Sequence, residues 1–333
     1  DVTPTDNMAS HVRNLSAVPM FLCVFLCVLA EWNTKDFLRR EHTLVKPYQG
    51  SGMSVPQWDF LGSTMVTNSY IRLTSDHQSR QGAIWNNVRC HVQNWELHVQ
   101  FKVHGSGKNL FGDGMAIWYT QERMQLGPVF GSRDLFTGLA IFLDTYSNHN
   151  GPHNHQHPYV SAMINNGTLH YDHDSDGTHT SVAGCEAQFR NKDYDTYLAI
   201  RYEDNTLKVS VDVDNKNGWR ECFVVHGVKL PVGYFLGASA ATGELADNHD
   251  VISVKFYELE SENKNPPYTG LPEASVMEAP RDRVEDKRGS LSSYSGWKLF
   301  MIIILIIIAL AVVGVVGFIV FQKQQENSRK RFY

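Results

Sequence analysis

The sequence predicts an all-β sandwich for its central part, from about residue 36 to residue 260. Short apolar segments there are separated by Gly, Asn, Asp and Pro, the residues that form turns between strands. Apolar and polar residues alternate along Trp95–Val103 and Leu207–Val213, which is the period of a half-buried strand. No long segment has the 3.6-residue period of a helix, and no fixed-length repeat indicates a propeller. One undivided sandwich of about 225 residues is consistent with this pattern.

The expected strands are rich in β-branched and aromatic residues and are bounded by turn residues. In chain order they are Met65–Leu73, Trp95–Val103, Gly114–Thr120, Leu139–Tyr146, Tyr159–Ile164, Thr196–Arg201, Leu207–Val213, Tyr234–Ala240 and Val251–Leu259. Asn166-Gly167 follows the fifth of them and is a dipeptide typical of hairpin turns.

An apolar segment near the N-terminus has the length and the ending of a signal peptide. The run Val18–Ala30 is too short to span a bilayer comfortably and ends at a small residue before the polar Glu31. We therefore expect residues 1–30 to be a signal peptide, with Met8 as a candidate start and residues 1–7 as an uncertain leader.

A second apolar segment, near the C-terminus, predicts one transmembrane helix. Residues 299–321 carry no charge and are long enough to cross a hydrocarbon core of ~30 Å. Basic residues follow in 322–333, so the positive-inside rule places that tail in the cytosol and residues 31–260 in the lumen. Residues 261–298 combine Pro with mixed charges and lack apolar heptads, which predicts a flexible stalk without coiled-coil oligomerisation. The chain is thus expected to be a single-pass type I membrane protein.

Composition excludes one class of partner and limits the disulfides. A net charge of −5 and a pI near 6.3 leave no basic footprint for nucleic acid. Two of the five cysteines lie in the predicted signal peptide, so Cys90, Cys185 and Cys222 remain. The polar, turn-like surroundings of Cys185 and Cys222 favour a disulfide between them, with Cys90 free and buried, and the sequence leaves other pairings open.

The segment Gly138–Asn148 predicts a site for a hard cation. An apolar strand there is followed by Asp144, Tyr146 and Asn148 at alternate positions. Because alternate residues of a strand point to the same side, Asp144 and Asn148 can direct oxygens at one point, and Tyr146 can add its carbonyl. Oxygen ligands without sulfur favour Ca²⁺. The alternative interpretation is an ordinary turn, since Asp and Asn are common at strand ends.

Three further segments carry polar groups suited to ligand binding. Asp113 lies between two glycines, where a ligand can approach the backbone closely, although Gly-Asp-Gly is also a common turn. Tyr171–Gly177 is rich in carboxylates and resembles part of a calcium loop, without the later Glu and the helices of an EF-hand. Gly237–Leu245 is a strand of small residues that opens into a Gly-containing loop, which can present backbone N–H groups to a hydroxylated ligand.

Together these segments resemble the animal L-type lectins, the legume-lectin-like cargo receptors of the secretory pathway. The most specific pieces are Gly112–Tyr119, Ile141–Tyr146 and Ala241–Asp250, and the resemblance extends over nearly the whole chain. Within the family, the chain is most similar to the vesicular integral-membrane subgroup and its members retained in the endoplasmic reticulum. The resemblance implies a concanavalin-type jelly-roll sandwich that binds calcium and high-mannose N-glycans, sorts or controls newly made glycoproteins, and is not an enzyme.

The family pattern also implies roles for individual residues. The calcium ligands that it implies are Asp144, Asn148, Asp176 and the carbonyl of Tyr146. The contacts to mannose that it implies come from Ser63, Asp113, Asn148, His173, Gly243, Glu244 and Leu245. Glu244 stands where the pattern has Asp, so its longer side chain is expected to alter contacts to an outer mannose.

The loop Asn148–Pro158 contains more histidines than the family pattern. Imidazoles suit zinc, so one interpretation is a zinc site formed by His153, His155 and His157. The composition favours a solvated surface loop instead. Histidines beside a calcium site also predict that acidification weakens calcium and sugar binding, because cationic imidazoles repel the metal ion.

Two short signals concern processing and transport. Asn166-Gly-Thr168 is a glycosylation sequon on the predicted lumenal side. The chain ends in Arg329, Lys330, Arg331, Phe332 and Tyr333. This ending resembles the family's transport signals, with basic residues for retention and an aromatic pair for export. It implies vesicle coat proteins as partners and the endoplasmic reticulum, intermediate compartment and Golgi membrane as locations, although topology already explains the basic residues.

Two other classes of protein were weighed. A glycoside hydrolase needs two carboxylates about 5–10 Å apart at the scissile bond. The sequence has no paired acids on a central strand and no Gly-x-Ser-x-Gly elbow, and Glu96 stands isolated. An adhesion domain without sugar binding would leave Asp113, Asn148 and Asp176 without a shared purpose. The sequence therefore favours a calcium-dependent lectin.

Overall fold

Two antiparallel sheets of seven strands each form the predicted sandwich. The computed structural model describes residues 37–48, 54–148, 155–260 and 266–274. The predicted signal peptide, transmembrane segment and cytosolic tail, and most of the predicted stalk, lie outside these residues. Among the described residues, no helix has the length and apolar composition needed to cross a membrane.

The strands are divided between two large sheets and a small third one. The front sheet consists, in spatial order, of β1 (Trp58–Gly62), β4 (Gln81–Asn86), β14 (Phe235–Ala241), β6 (Gly114–Thr120), β7 (Thr137–Asp144), β8 (Tyr159–Asn166) and β9 (Ser181–Glu186). The back sheet consists of β12 (Arg220–His226), β11 (Thr206–Asp212), β10 (Thr196–Glu203), β5 (Trp95–His104), β15 (Asn248–Glu258), β3 (Ile71–Thr74) and β2 (Met65–Val66). The third sheet pairs β13 (Val228–Lys229) with β16 (Glu273–Ala274), and 3₁₀ turns lie at Arg40–His42 and His173–Ser175.

The main hydrophobic core fills the space between the two large sheets. Leu139, Ile141 and Leu143, at alternate positions of β7, belong to this core. In the back sheet, Trp95 of β5 stacks on Phe256 of β15 with ring centroids 5.8 Å apart. Because apolar side chains occupy alternate positions along the strands, one face of each sheet packs into a shared apolar layer.

The outer face of the front sheet carries a second core, which is largely aromatic. Ala140 and Phe142, the intervening residues of β7, belong to it. Phe130, Phe136 and Tyr171, which lie in the connections after β6 and β8, cover that face. Because both of its faces are covered, every residue of β7 is buried, which explains why this strand is a continuous apolar run in the sequence.

Several predicted strands have different bounds, and two of these differences concern turns and strand ends. The segment Met65–Leu73 is a hairpin of β2 and β3 rather than one strand, because the Tyr70 N–H donates to Thr67 Oγ1 at 3.0 Å and closes a turn. The predicted strand Leu139–Tyr146 ends at Asp144 instead.

The predicted hairpin turn at Asn166-Gly167 is wrong. Asn165 Oδ1 accepts hydrogen bonds from the Gly167 and Thr168 N–H groups at 2.9 and 3.2 Å, so a side chain organises the backbone there. The next strand of the sheet, β9, begins only at Ser181. A long connection therefore leaves β8, and it crosses the aromatic face of the front sheet with Tyr171.

The predicted disulfide between Cys185 and Cys222 is confirmed, with a Cα–Cα distance of 5.4 Å. Cys185 belongs to β9 at one edge of the front sheet, and Cys222 belongs to β12 at one edge of the back sheet. The bond therefore joins the two sheets along one side of the sandwich. Cys90 is free and buried, as predicted.

Candidate functional site

Five strands of the front sheet begin or end together at one end of that sheet. A single row of paired residues crosses the sheet there and consists of Gln81, Ala241, Gly114, Asp144 and Tyr159. Strands β7 and β14 end at this row, whereas β4, β6 and β8 begin at it. The antiparallel register therefore gathers residues that are far apart in the sequence.

Asp144 closes β7 at this end with a buried carboxylate. It has the same strand parity as Phe142, so its side chain lies on the outer, aromatic face of the sheet. Its Oδ1 accepts a hydrogen bond from the Tyr146 N–H at 3.0 Å. Burial raises the pKa of Asp144, since removal from water disfavours the charged form.

Asp176 approaches Asp144 from the long connection after β8. It follows the 3₁₀ turn His173–Ser175 in the left-handed region, with φ of 50°. Its Oδ1 accepts a hydrogen bond from the Asn148 N–H at 2.9 Å, which ties the segment after β7 to this turn. Its Oδ2 is buried and has no hydrogen-bond partner among the described residues.

This arrangement fits a hard divalent cation. Asp144 and Asp176 are only 6% and 5% exposed, and a buried carboxylate costs several kcal/mol unless a cation compensates it. The Coulombic repulsion between the two carboxylates contributes to the raised pKa of Asp144. Carboxylate and carbonyl oxygens are the ligands that calcium prefers.

Asp113 precedes β6 beside this cluster. Its backbone oxygen accepts hydrogen bonds from the N–H and the hydroxyl of Thr145 at 3.0 and 2.8 Å. A Cβ at Gly243 would lie 3.2 Å from both carboxylate oxygens of Asp113, so the two residues are in close contact. Burial, with the negative charge of Asp144 adding to it, raises the pKa of Asp113 to about 6 despite the opposing influence of His173.

The carboxylate of Asp113 has no hydrogen-bond donor within the part of the chain that the structure describes. Its neighbour His173 contributes Nε2 to a hydrogen bond with the Pro128 carbonyl at 2.9 Å, so Nδ1 is left for another partner. The His173 ring packs edge-on against Tyr171, with centroids 4.6 Å apart. The Asp113 carboxylate and His173 Nδ1 are thus both held in place and remain available for hydrogen bonds to a ligand.

The loop after β14 completes the wall of this site. It is fixed by the Ser79 N–H, which donates to the Gly243 carbonyl at 3.0 Å, and by Gln78 Nε2, which donates to the Glu244 carbonyl at 2.7 Å. The Glu244 side chain is exposed. Leu245 lies near Gly112, since a Cβ at Gly112 would be 3.7 Å from the Leu245 Cβ.

Ser63 follows β1 at the far side of the row. Its single hydroxyl hydrogen can be shared between the backbone carbonyls of Leu73 and Gln81, which lie 2.9 and 3.0 Å from the Ser63 Oγ. Gln81 pairs with Ala241, two residues before Gly243. Ser63 is therefore held on the same end of the sheet, where its hydroxyl oxygen can serve as an acceptor.

A match to a family model covers the whole sandwich. The model of the legume-like lectin family matches residues 35–266. The chain belongs to this family.

Relatives of this legume-like lectin match over most of their length. Vesicular integral-membrane protein VIP36 of Canis lupus familiaris is 49% identical over 327 residues, which cover 95% of this chain and 91% of that protein. VIP36-like protein of Homo sapiens is 48% identical over 307 residues, covering 90% of this chain and 87% of that protein.

Solved structures of VIP36 have the same fold. The exoplasmic/lumenal domain in its Ca²⁺/Man-bound form has a TM-score of 0.70 and 53% identity, and the match covers 72% of this chain and 99% of that one. The Ca²⁺/Man3GlcNAc-bound form has a TM-score of 0.66 and 51% identity, with 72% and 100% covered.

The geometry of this legume-like lectin corrects one step of the sequence argument. Tyr146 and Asn148 do not continue the strand, because β7 ends at Asp144. Asn148 lies at the cluster because its backbone N–H donates a hydrogen bond to the Asp176 carboxylate. Tyr146 lies there because its backbone N–H donates to the Asp144 carboxylate. Side-chain parity along a strand therefore does not explain why these residues lie together.

Sequence reasoning also missed the position of His157. This residue was expected in a solvated loop, but its side chain is only 6% exposed and faces Asp144 and Asp176. His155 lies beside it, with ring centroids 4.9 Å apart. His153, the third predicted zinc ligand, lies outside the described residues. The alternation of imidazoles in His155-Gln-His157 was the available signal, and composition alone could not reveal its burial.

Proposed function

We propose that this chain is a calcium-dependent lectin that binds high-mannose N-glycans on secretory glycoproteins. The observation that carries the proposal is the convergence of two buried carboxylates, Asp144 and Asp176, beside the donor-free carboxylate of Asp113. The crystal forms of VIP36 with calcium and mannose or Man3GlcNAc support the same ligands for this relative. Family membership favours binding of sugar over its hydrolysis.

In this proposal, the calcium ligands are the Asp144 and Asp176 side chains, the Asn148 side chain and the Tyr146 carbonyl. Bound calcium would neutralise the buried carboxylates and fix the backbone after β7. The hydrogen bond from the Asn148 N–H to Asp176 already joins the two segments that carry these ligands. Asn148 would then present its amide, which both donates and accepts, to neighbouring hydroxyls of a hexose.

Asp113 would accept hydrogen bonds from two hydroxyls of the same mannose. A charged acceptor makes bonds roughly twice as strong as a neutral one, and its position is fixed by Thr145 and Gly243. His173 and the backbone of the loop Gly243–Leu245 would supply donors, and Ser63 an acceptor. Because each bond replaces one to water, a neutral bond contributes only about 1 kcal/mol net and a bond to the Asp113 carboxylate about 1.5–3 kcal/mol. Affinity for one sugar is therefore expected to be weak.

We further propose the cellular setting. Residues 1–30 would be a signal peptide, 31–260 a lumenal lectin domain, 261–298 a stalk, 299–321 a transmembrane helix and 322–333 a cytosolic tail. Arg329–Tyr333 would bind vesicle coat proteins and place the receptor in the endoplasmic reticulum, intermediate compartment and Golgi. Asn166 would carry a glycan, a role that its exposure at the end of β8 permits.

A glycan array with and without chelator tests the function. We expect the purified chain to bind high-mannose glycans in millimolar calcium, to lose them on chelation, and to regain them when calcium returns. Asp144→Asn keeps the side-chain volume but removes a charged ligand, so glycan binding should fall by about 100-fold or more. Asp214→Asn, which changes an exposed acid in the loop after β11, is the matched control.

Four results would contradict the proposal. Glycan binding by Asp144→Asn equal to that by Asp214→Asn would exclude calcium as the organiser of the site. Binding that persists in chelator would do the same. Release of free sugar from the array would indicate a hydrolase, and the absence of any glycan signal would indicate an adhesion domain.

A further inference from the structure

Two histidines lie against the carboxylates of the candidate calcium site. One ring nitrogen each of His155 and His157 and one carboxylate oxygen of Asp176 all lie within 4.8 Å of one another. His157 Nε2 is 3.9 Å from Asp176 Oδ2 and 3.7 Å from Asp144 Oδ2. The cluster is therefore continuous with the calcium site but adds nitrogen donors to it.

Two members of this cluster, His157 and Asp176, carry buried polar atoms without a hydrogen-bond partner among the described residues. Neither ring nitrogen of His157 has a hydrogen-bond partner among the described residues, although the side chain is only 6% exposed. Asp176 Oδ2, on a side chain that is 1% exposed, also lacks one. Buried polar groups left without partners destabilise a fold, and a ligand bound by both His157 and Asp176 would remove that cost.

The distances fit a metal ion better than a direct contact. Separations of 3.7 and 3.9 Å exceed the length of a hydrogen bond. Two ligands of one zinc ion, each at ~2.1 Å and at a tetrahedral angle, are ~3.4 Å apart. A small adjustment of the side chains would therefore bring His157 and Asp176 to ligand distance of a shared ion.

The surrounding structure holds the histidines in this position. His155 packs on Tyr159, the first residue of β8, with ring centroids 3.7 Å apart. Between the histidines, the Gln156 N–H donates to Glu186 Oε1 at 3.2 Å, which ties this segment to β9. The His155 ring and the backbone between the two histidines are thus supported by the front sheet.

We propose that His155, His157 and Asp176 form a second divalent-cation site, for zinc or a similar borderline-soft ion, that shares Asp176 with the calcium site. Two imidazoles and one carboxylate are a donor set that zinc prefers and calcium does not. A fourth position remains for Asp144 or water. The site uses the geometry of the proposed calcium cluster but does not depend on sugar binding.

Metal titration of the purified full-length chain, without a polyhistidine tag, tests the site. After chelation and dialysis, we expect calorimetry to show one strong zinc site, and cobalt to give the visible absorption of a tetrahedral complex. His157→Phe keeps a ring of similar size but removes both nitrogens. It should weaken zinc binding by at least ~10-fold and abolish the cobalt band. His91→Gln, at an exposed histidine, is the control and should change neither signal.

Calcium and mannose binding by the same variants separate this inference from the proposed function. His157→Phe and a second variant, His157→Gln, should still bind calcium and high-mannose glycan, because neither changes an oxygen ligand. Since Asp176 is shared, zinc should change the calcium dissociation constant, and calcium should change that of zinc by the same factor. A chain that binds zinc but neither calcium nor glycan would contradict the proposed function alone.

The inference is wrong if the wild-type chain takes up no zinc, or if His157→Phe and His157→Gln bind it as tightly as His91→Gln does. Equal zinc affinity with and without saturating calcium would contradict the sharing of Asp176.

Discussion

At the level of single residues, the proposed roles assign sugar binding to Asp113 and metal binding to other carboxylates. The Asp113 carboxylate touches Gly243 and lies near His173, whereas the proposed calcium ligands include Asp144 and Asp176. Among the described residues none donates to it, so its hydrogen-bonding capacity is available to a ligand. Burial raises its pKa to about 6, which shows that the uncomplexed carboxylate is poorly solvated and gains from hydroxyl donors.

Asp113→Asn should therefore weaken glycan binding while leaving calcium binding nearly unchanged. The amide has almost the same shape, but it replaces one charged acceptor oxygen with a donor. Loss of one to two charge-assisted hydrogen bonds, at about 1.5–3 kcal/mol each, corresponds to a loss of about 10-fold to 100-fold or more in affinity. Calorimetry with mannose oligosaccharide at saturating calcium, and separately with calcium, measures both. Asp214→Asn is again the control, and unchanged sugar affinity in Asp113→Asn would exclude the assigned role.

At the level of strands, the predictions succeeded where a local residue pattern determines the structure and failed where a specific side-chain contact does. Alternation along Trp95–Val103 predicted β5 nearly as it is, because one of its faces meets the main core and the other is half-buried. The turn inside Met65–Leu73 was missed, since the Thr67 side chain rather than a Gly or Pro closes it. Boundaries that depend on one side-chain hydrogen bond leave little trace in composition.

In the candidate site, too, the local pattern was predictable from the sequence and the long-range contacts were not. The oxygen-rich end of β7 was visible locally, and only the family resemblance linked Asp144 with Asp113 and Asp176. Strand register brings Asp113 to Asp144, through the pairing of Gly114 with Asp144. Register depends on which strands become neighbours, and a single sequence does not state this. The burial of His157 depends in the same way on the packing of β8 and β9.

The disulfide is the covalent link between edge strands β9 and β12. The two cysteines are 37 residues apart, and closing a loop of that length in the unfolded chain is worth about 3–4 kcal/mol. Replacing both cysteines by Ser should lower the free energy of unfolding by about that amount. Denaturant unfolding with and without reductant measures it: reductant should destabilise the wild type but not the variant. Equal stability of the two oxidised proteins would contradict this role.

At the level of the whole molecule, the sandwich also buries polar side chains that have no role in the candidate site. His249 of β15 is fully buried, and its ring contacts Thr74 Oγ1 of β3 at 2.7 Å through Nδ1. Burial lowers its pKa from 6.5 to about 3, because desolvation disfavours the imidazolium more strongly than nearby Asp250 favours it. The folded protein therefore keeps this imidazole neutral where the unfolded chain protonates it.

This neutral histidine should make the fold less stable in mildly acidic solution. Between pH 6.5 and about 3 the unfolded chain binds a proton at His249 that the folded protein excludes, so the free energy of unfolding falls as the pH falls. From pH 7 to pH 5 the loss from this residue is about 2 kcal/mol. Urea unfolding at both pH values measures it, and His249→Gln should show a pH dependence smaller by that amount. Other groups titrate in both proteins, so the test compares how much the free energy of unfolding changes between the two pH values in the wild type and in His249→Gln. An equal dependence in wild type and variant, or an NMR titration of the His249 ring in the folded protein near pH 6.5, would contradict the argument.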